Sequence, residues 1–184
     1  MSAIPPVQAE QAPLLARPYY QSGDPGPILA TLAHVPELLE VCAPFLGTVF
    51  GPTVLTGRIK ELVIVRTSVR LGCRYCVEAH SVVALDSGLS PDEVLALRRP
   101  AVDVNLFPDP GERAVLAWVD VVAGERGSVD AAERDRLAAR FADHEVVELT
   151  LLIGATLMLN RFCTALDLPS SPETLRRLTE AGLR

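Results

Sequence analysis

The feature that most constrains this chain is a single glycine between two helical patterns. Residues 57–86 read GRIKELVIVRTSVRLGCRYCVEAHSVVALD, and Gly72 breaks an apolar run that extends from Ile59 to Leu71. The run shows no period-two alternation, so it reads as a helix, and glycine lets that helix stop and another begin at the cysteines. Along one continuous helix Glu61 and His80 would stand roughly 28 Å apart at ~1.5 Å per residue. The midpoint between positions 61 and 80 lies between Arg70 and Leu71, just before Gly72. An antiparallel turn at that point sets Glu61 level with His80.

The second helix carries Cys73, Cys76 and His80 at spacings of three and four, which share one helical face. An imidazole one turn from a thiol can take its proton, and the thiolate is the reactive form of cysteine. Both cysteines fall in the first turns, where unpaired N–H groups and the helix dipole favour negative charge on sulfur. Glu61 sits among Ile59, Leu62, Val63, Ile64 and Val65. Burial there raises a carboxyl's pKa toward neutrality, as a general base requires. The spacing supports a relay from Glu61 to His80 to Cys76. Plainer readings stand beside it: Glu61 paired with Arg66 or Arg70, five and nine residues away and outside the favoured spacings, or His80 as a satisfied core histidine. Glu78 lies off the stripe and reads as solvent-facing.

Glu61, Cys73 twelve residues later, and then C-R-Y-C-V-E-A-H together resemble the E…C-x-x-C-x-x-x-H signature of alkylhydroperoxidase D-like proteins, of the carboxymuconolactone decarboxylase superfamily. The specific likeness covers about residues 50–90, and Asn160-Arg161-Phe162 fits more loosely. The resemblance implies that Cys76 attacks the peroxide and that Cys73 resolves it to a disulfide. It also implies a thioredoxin-like or lipoyl dithiol as reductant, and assembly into trimers or larger rings such as hexamers. Peroxidases of that family carry a histidine just before the second cysteine; this chain has Tyr75, next to the expected substrate.

Three readings follow. The first is a thiol peroxidase with Cys76, Cys73, His80 and Glu61 as catalytic residues, a hydroperoxide as substrate and no cofactor. In the second, Cys73, Cys76 and His80 hold a metal with Glu61 or water as fourth ligand. That set lacks the second pair of a closed zinc site. The third is a non-redox enzyme of the decarboxylase type, a branch that typically lacks the paired cysteines, or an oligomer whose cysteines merely pack.

The remaining sequence bounds these readings. A net charge of −6 and a pI near 5.1, with Arg98-Arg99 and Arg176-Arg177 as isolated pairs, argue against a nucleic-acid partner. The N-terminus, MSAIPPVQAEQAP, does not read as a secretion signal, and the most apolar window, 146–159, contains Glu148 and is short for a bilayer. We therefore expect a cytoplasmic location and no membrane. Four cysteines in such a chain suit redox or metal chemistry better than a disulfide framework. Cys42 and Cys163 read as buried core thiols apart from the pair.

Six prolines in residues 1–27 exclude a long helix, so 1–27 is expected to be an extended arm, with Tyr19 and Tyr20 packed on the domain, anchored on a neighbouring subunit or lining the site entrance. Residues 28–184 are expected to form one all-helical domain with its core at 57–88. Pro36 and Pro44 are expected to limit the helices before that core, and His34 to lie at a helix end. Ser90-Pro91-Asp92-Glu93, Asp109, Asp130 and Asp143 mark helix starts, with a loop at 100–109, Trp118 in the core and a last short helix after Pro169. The helix from Asp143 to about Leu166 is apolar nearly all round, so it belongs at the centre or at a subunit interface. The fold expected is an all-α bundle of the alkylhydroperoxidase D type, oligomeric.

Overall fold

A computed structural model describes residues 2–184. Its helices are α1 (Pro27–Leu32), α2 (Pro36–Phe50), α3 (Gly57–Leu71), α4 (Arg74–Asp86), α5 (Pro91–Leu97), α6 (Pro110–Val122), α7 (Ala131–Ala138), α8 (Asp143–Ala165) and α9 (Pro172–Glu180). No strand occurs among the described residues.

The bundle is built round α3, in which every residue from Lys60 to Ser68 is buried. It packs most extensively against α4 and α8 and then α6. Val63 and Ile64 meet Val115, Trp118, Leu152 and Ile153 on one side, while Leu62 and Val65 meet Val94, Leu97, Phe107 and Leu116 on the other. Such double-sided burial requires that α3's charged residues find partners inside. Lys60 Nζ donates to the carbonyls of Val49 (2.9 Å) and Gly51 (2.6 Å) and pairs with Glu148 at 3.1 Å. Arg66, 1% exposed, gives a two-pronged bond to Asp120 and donates to the carbonyls of Leu97, Arg99 and Pro100. Arg70 also faces Asp120, so neither arginine serves Glu61.

Gly72 adopts φ +64°, ψ +27°, the left-handed conformation that glycine reaches without Cβ strain, and its N–H closes α3 on Ser68 and Val69 carbonyls. Cys73 follows as the N-cap of α4 and accepts from the backbone N–H of Cys76 at 3.4 Å. The helix starts at Ser90, Asp109 and Asp130 carry side-chain caps, with a reciprocal Ser90–Glu93 box. Asp143 is the first residue of α8, after Ala142. Trp118 is buried and donates from Nε1 to Thr150.

Several expectations need correcting. Pro44 does not limit α2; it lies inside the helix on an exposed face, where the carbonyl freed by its missing N–H meets water. Residues 9–11 and 17–20 form 3₁₀ turns within the N-terminal segment, and 104–106 form another in the loop before α6. The N-terminal segment folds back on its own chain: Val7 N–H donates to Ala30, Ala3 N–H to Leu166, and Tyr20 hydroxyl to Val7. Tyr19 and Tyr20 pack beside Val7, Ala16 and Leu39, and His34 Nε2 lies 2.9 Å from the Pro5 carbonyl. Glu78 is half-buried rather than solvent-facing, because Ser170 donates its hydroxyl to it. Cys42 is only half-buried. Helix α8 is long and apolar enough to cross a membrane, but here it packs along α3.

Candidate functional site

The α3–α4 hairpin sets His80 Nδ1 3.0 Å from Glu61 Oε2. Glu61 is 6% exposed and His80 considerably more, so the imidazole edge reaches outward while the carboxylate orienting it stays dry. The other face of the ring is bounded by Phe50, with ring centroids 6.3 Å apart.

Cys73 and Cys76, 1% and 4% exposed, bring their sulfurs to 2.8 Å as free thiols. Two thiolates on one tetrahedral zinc at ~2.3 Å would stand about 3.8 Å apart, so this spacing suits direct S–H···S contact better than shared ligation. Among the described residues no group of three or more His, Cys, Asp or Glu side chains is placed to hold a metal ion.

The two sulfurs open onto different spaces. Cys76 lines a cavity of about 50 Å³ with His80, Tyr75, Ser68, Ile64 and Asn160. Two atoms at its wall, Ser68 Oγ and Asn160 Oδ1, are buried without a hydrogen-bond partner, while Asn160 Nδ2 donates to Thr156. Cys73 lines a separate cavity of about 310 Å³ with Gly72, Arg74, Glu78 and Arg98. A larger cavity of about 670 Å³ lies between the N-terminal segment and the α8–α9 connection; no thiol lines it.

Cys163, far along the chain on α8, does not stand apart from the pair. It is 1% exposed and packs with Cys73, Cys76 and Leu168, under Tyr75 and Phe162. Hydrogen bonds from the Cys163 and Cys76 thiols, aided by the Cys76 N–H and the Thr164 hydroxyl, hold Cys73 well below the ordinary thiol range. Bonding to Cys163 and Cys73, with burial, pushes Cys76 up; bonding to Cys73, with burial, pushes Cys163 up to about 12 against a lowering contribution from Cys76. Negative charge therefore collects on Cys73, at the N-terminus of α4, while Cys76 is the sulfur that shares a cavity with His80. Burial, followed by the charge of the neighbouring thiols, raises Tyr75, which remains a protonated phenol.

Sequence reasoning missed Cys163 and Ser68 and placed Asn160 only within a stretch of looser likeness. A usable signal existed for two of them: Asn160 and Cys163 are three apart, so they share one face of an otherwise apolar helix. Ser68 gives no such signal.

Residues 36–121 match the family model described as "Carboxymuconolactone decarboxylase family". The uncharacterized protein YnjA of Escherichia coli (strain K12) is 29% identical over 174 residues, covering 92% of this chain and 91% of its own. Among solved structures, the debrominase Bmp8, as a cysteine-to-alanine variant in complex with 2,3,4-tribromopyrrole, superposes with a TM-score of 0.77 at 22% identity, over 96% of this chain and 95% of that one. An alkylhydroperoxidase AhpD core protein, an uncharacterized peroxidase-related protein from Ralstonia eutropha JMP134, gives 0.78 at 21% identity over 94% of each chain.

Proposed function

We propose, from the premise that residues 36–121 are a carboxymuconolactone decarboxylase family domain in a chain with the alkylhydroperoxidase D fold, that this protein reduces hydroperoxides with its Cys73/Cys76 dithiol. The observation that carries the proposal is the buried pair of free thiols at 2.8 Å, one of them sharing a cavity with an imidazole held by Glu61. A cavity of about 50 Å³ has room for a few water-sized groups, which suits an –OOH head better than a halogenated ring.

In this reading His80, oriented by Glu61, takes the Cys76 proton. The Cys76 thiolate attacks the distal peroxide oxygen, the O–O bond breaks, and the alkoxide leaves with the proton returned by His80. The Cys73 thiolate then attacks Cys76 sulfenic acid; the disulfide forms, the S–O bond breaks, and the hydroxide leaves as water with a proton from solvent, equivalent to the one Cys73 gave up on ionising. The balance is ROOH plus two thiols giving ROH, water and one disulfide. An external dithiol of the thioredoxin or lipoyl class restores the pair, and Cys73, with its larger cavity, is the sulfur it can approach.

Reduced protein exposed to about one equivalent of an organic hydroperoxide should lose two thiols and yield a Cys73–Cys76 peptide link. Retention of all four thiols would end the reading. Debromination of an aromatic, an activity named for one structural neighbour, is the control substrate.

We further propose a homo-oligomer. Leu38, Val41 and Phe45 form one exposed stripe of α2 and Val147, Leu151 and Met158 another of α8, and these two helices pack together. Val41→Glu with Leu151→Glu should lower the sedimentation coefficient; a wild type that already sediments as a monomer refutes the interface. Nucleic acid, membrane and a location outside the cytoplasm have no part in this proposal.

A further inference from the structure

We infer that Cys163 is a third redox thiol of the centre, able to become the disulfide partner of Cys73 by exchange with Cys76. The inference rests on the redox reading of the dithiol for its biological setting, but its chemistry is separable from the peroxide step.

Cys163 joins Cys73 and Cys76 in the buried thiol cluster from the far end of α8, and among the described residues Cys42 has no place in it. The end of α8 packs Cys163 into the same buried cluster as Cys73 and Cys76, whose own sulfurs are 2.8 Å apart. Two candidate partners therefore flank one sulfur. A core thiol needed only for packing would be as well served by an apolar neighbourhood; this one is packed against the reactive pair itself.

Exchange requires no further oxidant. Starting from the Cys73–Cys76 disulfide, the Cys163 thiol loses its proton and its sulfur attacks Cys73 Sγ. The Cys73–Cys163 bond forms, the Cys73–Cys76 bond breaks, and Cys76 leaves as a thiolate that recovers the proton. Electrons are conserved: one disulfide is exchanged for another. The outcome returns Cys76 to the thiol form in the cavity it shares with His80 while the oxidising equivalent waits in the core. Because burial disfavours the Cys163 thiolate, it is a slow attacker, so Cys73–Cys76 is the first product and Cys73–Cys163 the later, minor one.

The test uses the full chain as wild type, Cys76→Ser and Cys76→Ser/Cys163→Ser. Each is reduced, treated separately with an organic hydroperoxide and with about one equivalent of diamide, alkylated and peptide-mapped. Diamide, small enough to enter through the cavity beside Cys73, converts two thiols to a disulfide without peroxide chemistry. Cys76→Ser should lose two of its three thiols to diamide with a Cys73–Cys163 link, and the double variant should form no intramolecular link. Retention of three thiols in Cys76→Ser, or a link through Cys42, overturns the inference. Wild type sampled during partial oxidation gives a second reading independent of how the variants fold: both Cys73–Cys76 and Cys73–Cys163 peptides are expected, and absence of the latter overturns it. Failure with hydroperoxide alone sinks the peroxidase reading and leaves Cys163 standing; hydroperoxide-driven Cys73–Cys76 closure with no link to Cys163 under either oxidant sinks the inference and leaves the peroxidase.

Discussion

Glu61→Gln is the substitution that isolates what the buried carboxylate contributes. The side chain keeps its shape and its acceptor oxygen, so the 3.0 Å contact to His80 Nδ1 survives, but the charge is gone. A hydrogen bond to a charged group contributes about 1.5–3 kcal/mol net and a neutral one about 0.5–1.5, so imidazolium formation loses on the order of 1–1.5 kcal/mol. At about 1.36 kcal/mol per tenfold, disulfide formation limited by proton transfer to His80 should slow about 5- to 13-fold. Glu61→Ala also removes the orientation of the ring and should approach a loss of about 100-fold, the lower end of what general-base catalysis supplies. The assay is single-turnover: reduced protein is mixed with hydroperoxide at about neutral pH, quenched with an alkylating agent, and the disulfide is quantified by mass. Thermal unfolding of each variant separates lost chemistry from lost fold. A Glu61→Gln protein that is folded and closes its disulfide at the wild-type rate would refute the relay.

Two other outcomes follow from the charges. The Cys73 thiol is held below the ordinary range, so its thiolate is already formed in the folded protein; alkylation of Cys73 should stay flat between about pH 6 and 8, while the same cysteine in denaturant should react faster with each unit. The associated stability is fully present above the ordinary thiol value and is lost as pH falls through the folded one, and a folded-state rate that climbs in parallel with the denatured one would contradict this. Arg58 bonds Glu112 at 2.5 Å, pairs with Glu93 and donates to the Gly88 carbonyl, so Arg58→Gln should cost roughly 1–3 kcal/mol in urea denaturation at neutral pH. Burial raises Glu93, but the Arg58 and Ser90 bonds outweigh it and leave it lowered; the cost should shrink as pH falls through the folded Glu93 value, and an unchanged cost at about pH 3 would refute the assignment.

Much of the site was legible because it is local. Glu61, Cys73, Cys76 and His80 lie on two consecutive helices joined through one glycine, so helical periodicity and a turn are enough to place them on one side of a hairpin. The caps at Ser90, Asp109 and Asp130 were legible for the same reason, since each cap bond spans three residues. Pro44 was misread because a local rule against proline does not know which face of the helix meets water. Glu78 was misread because its partner, Ser170, arrives from the α8–α9 connection.

The sequence by itself determined the helical class, the α3–α4 turn and the level pairing of a carboxylate with an imidazole, all consequences of short-range backbone geometry. Only the tertiary structure decided which thiol carries the charge, what walls the Cys76 cavity and how many sulfurs the centre contains. Those depend on α8 crossing α3 and α4 and bringing Asn160 and Cys163 to residues more than eighty positions earlier. Side-chain packing between distant helices sets that meeting, and no spacing along the chain encodes it.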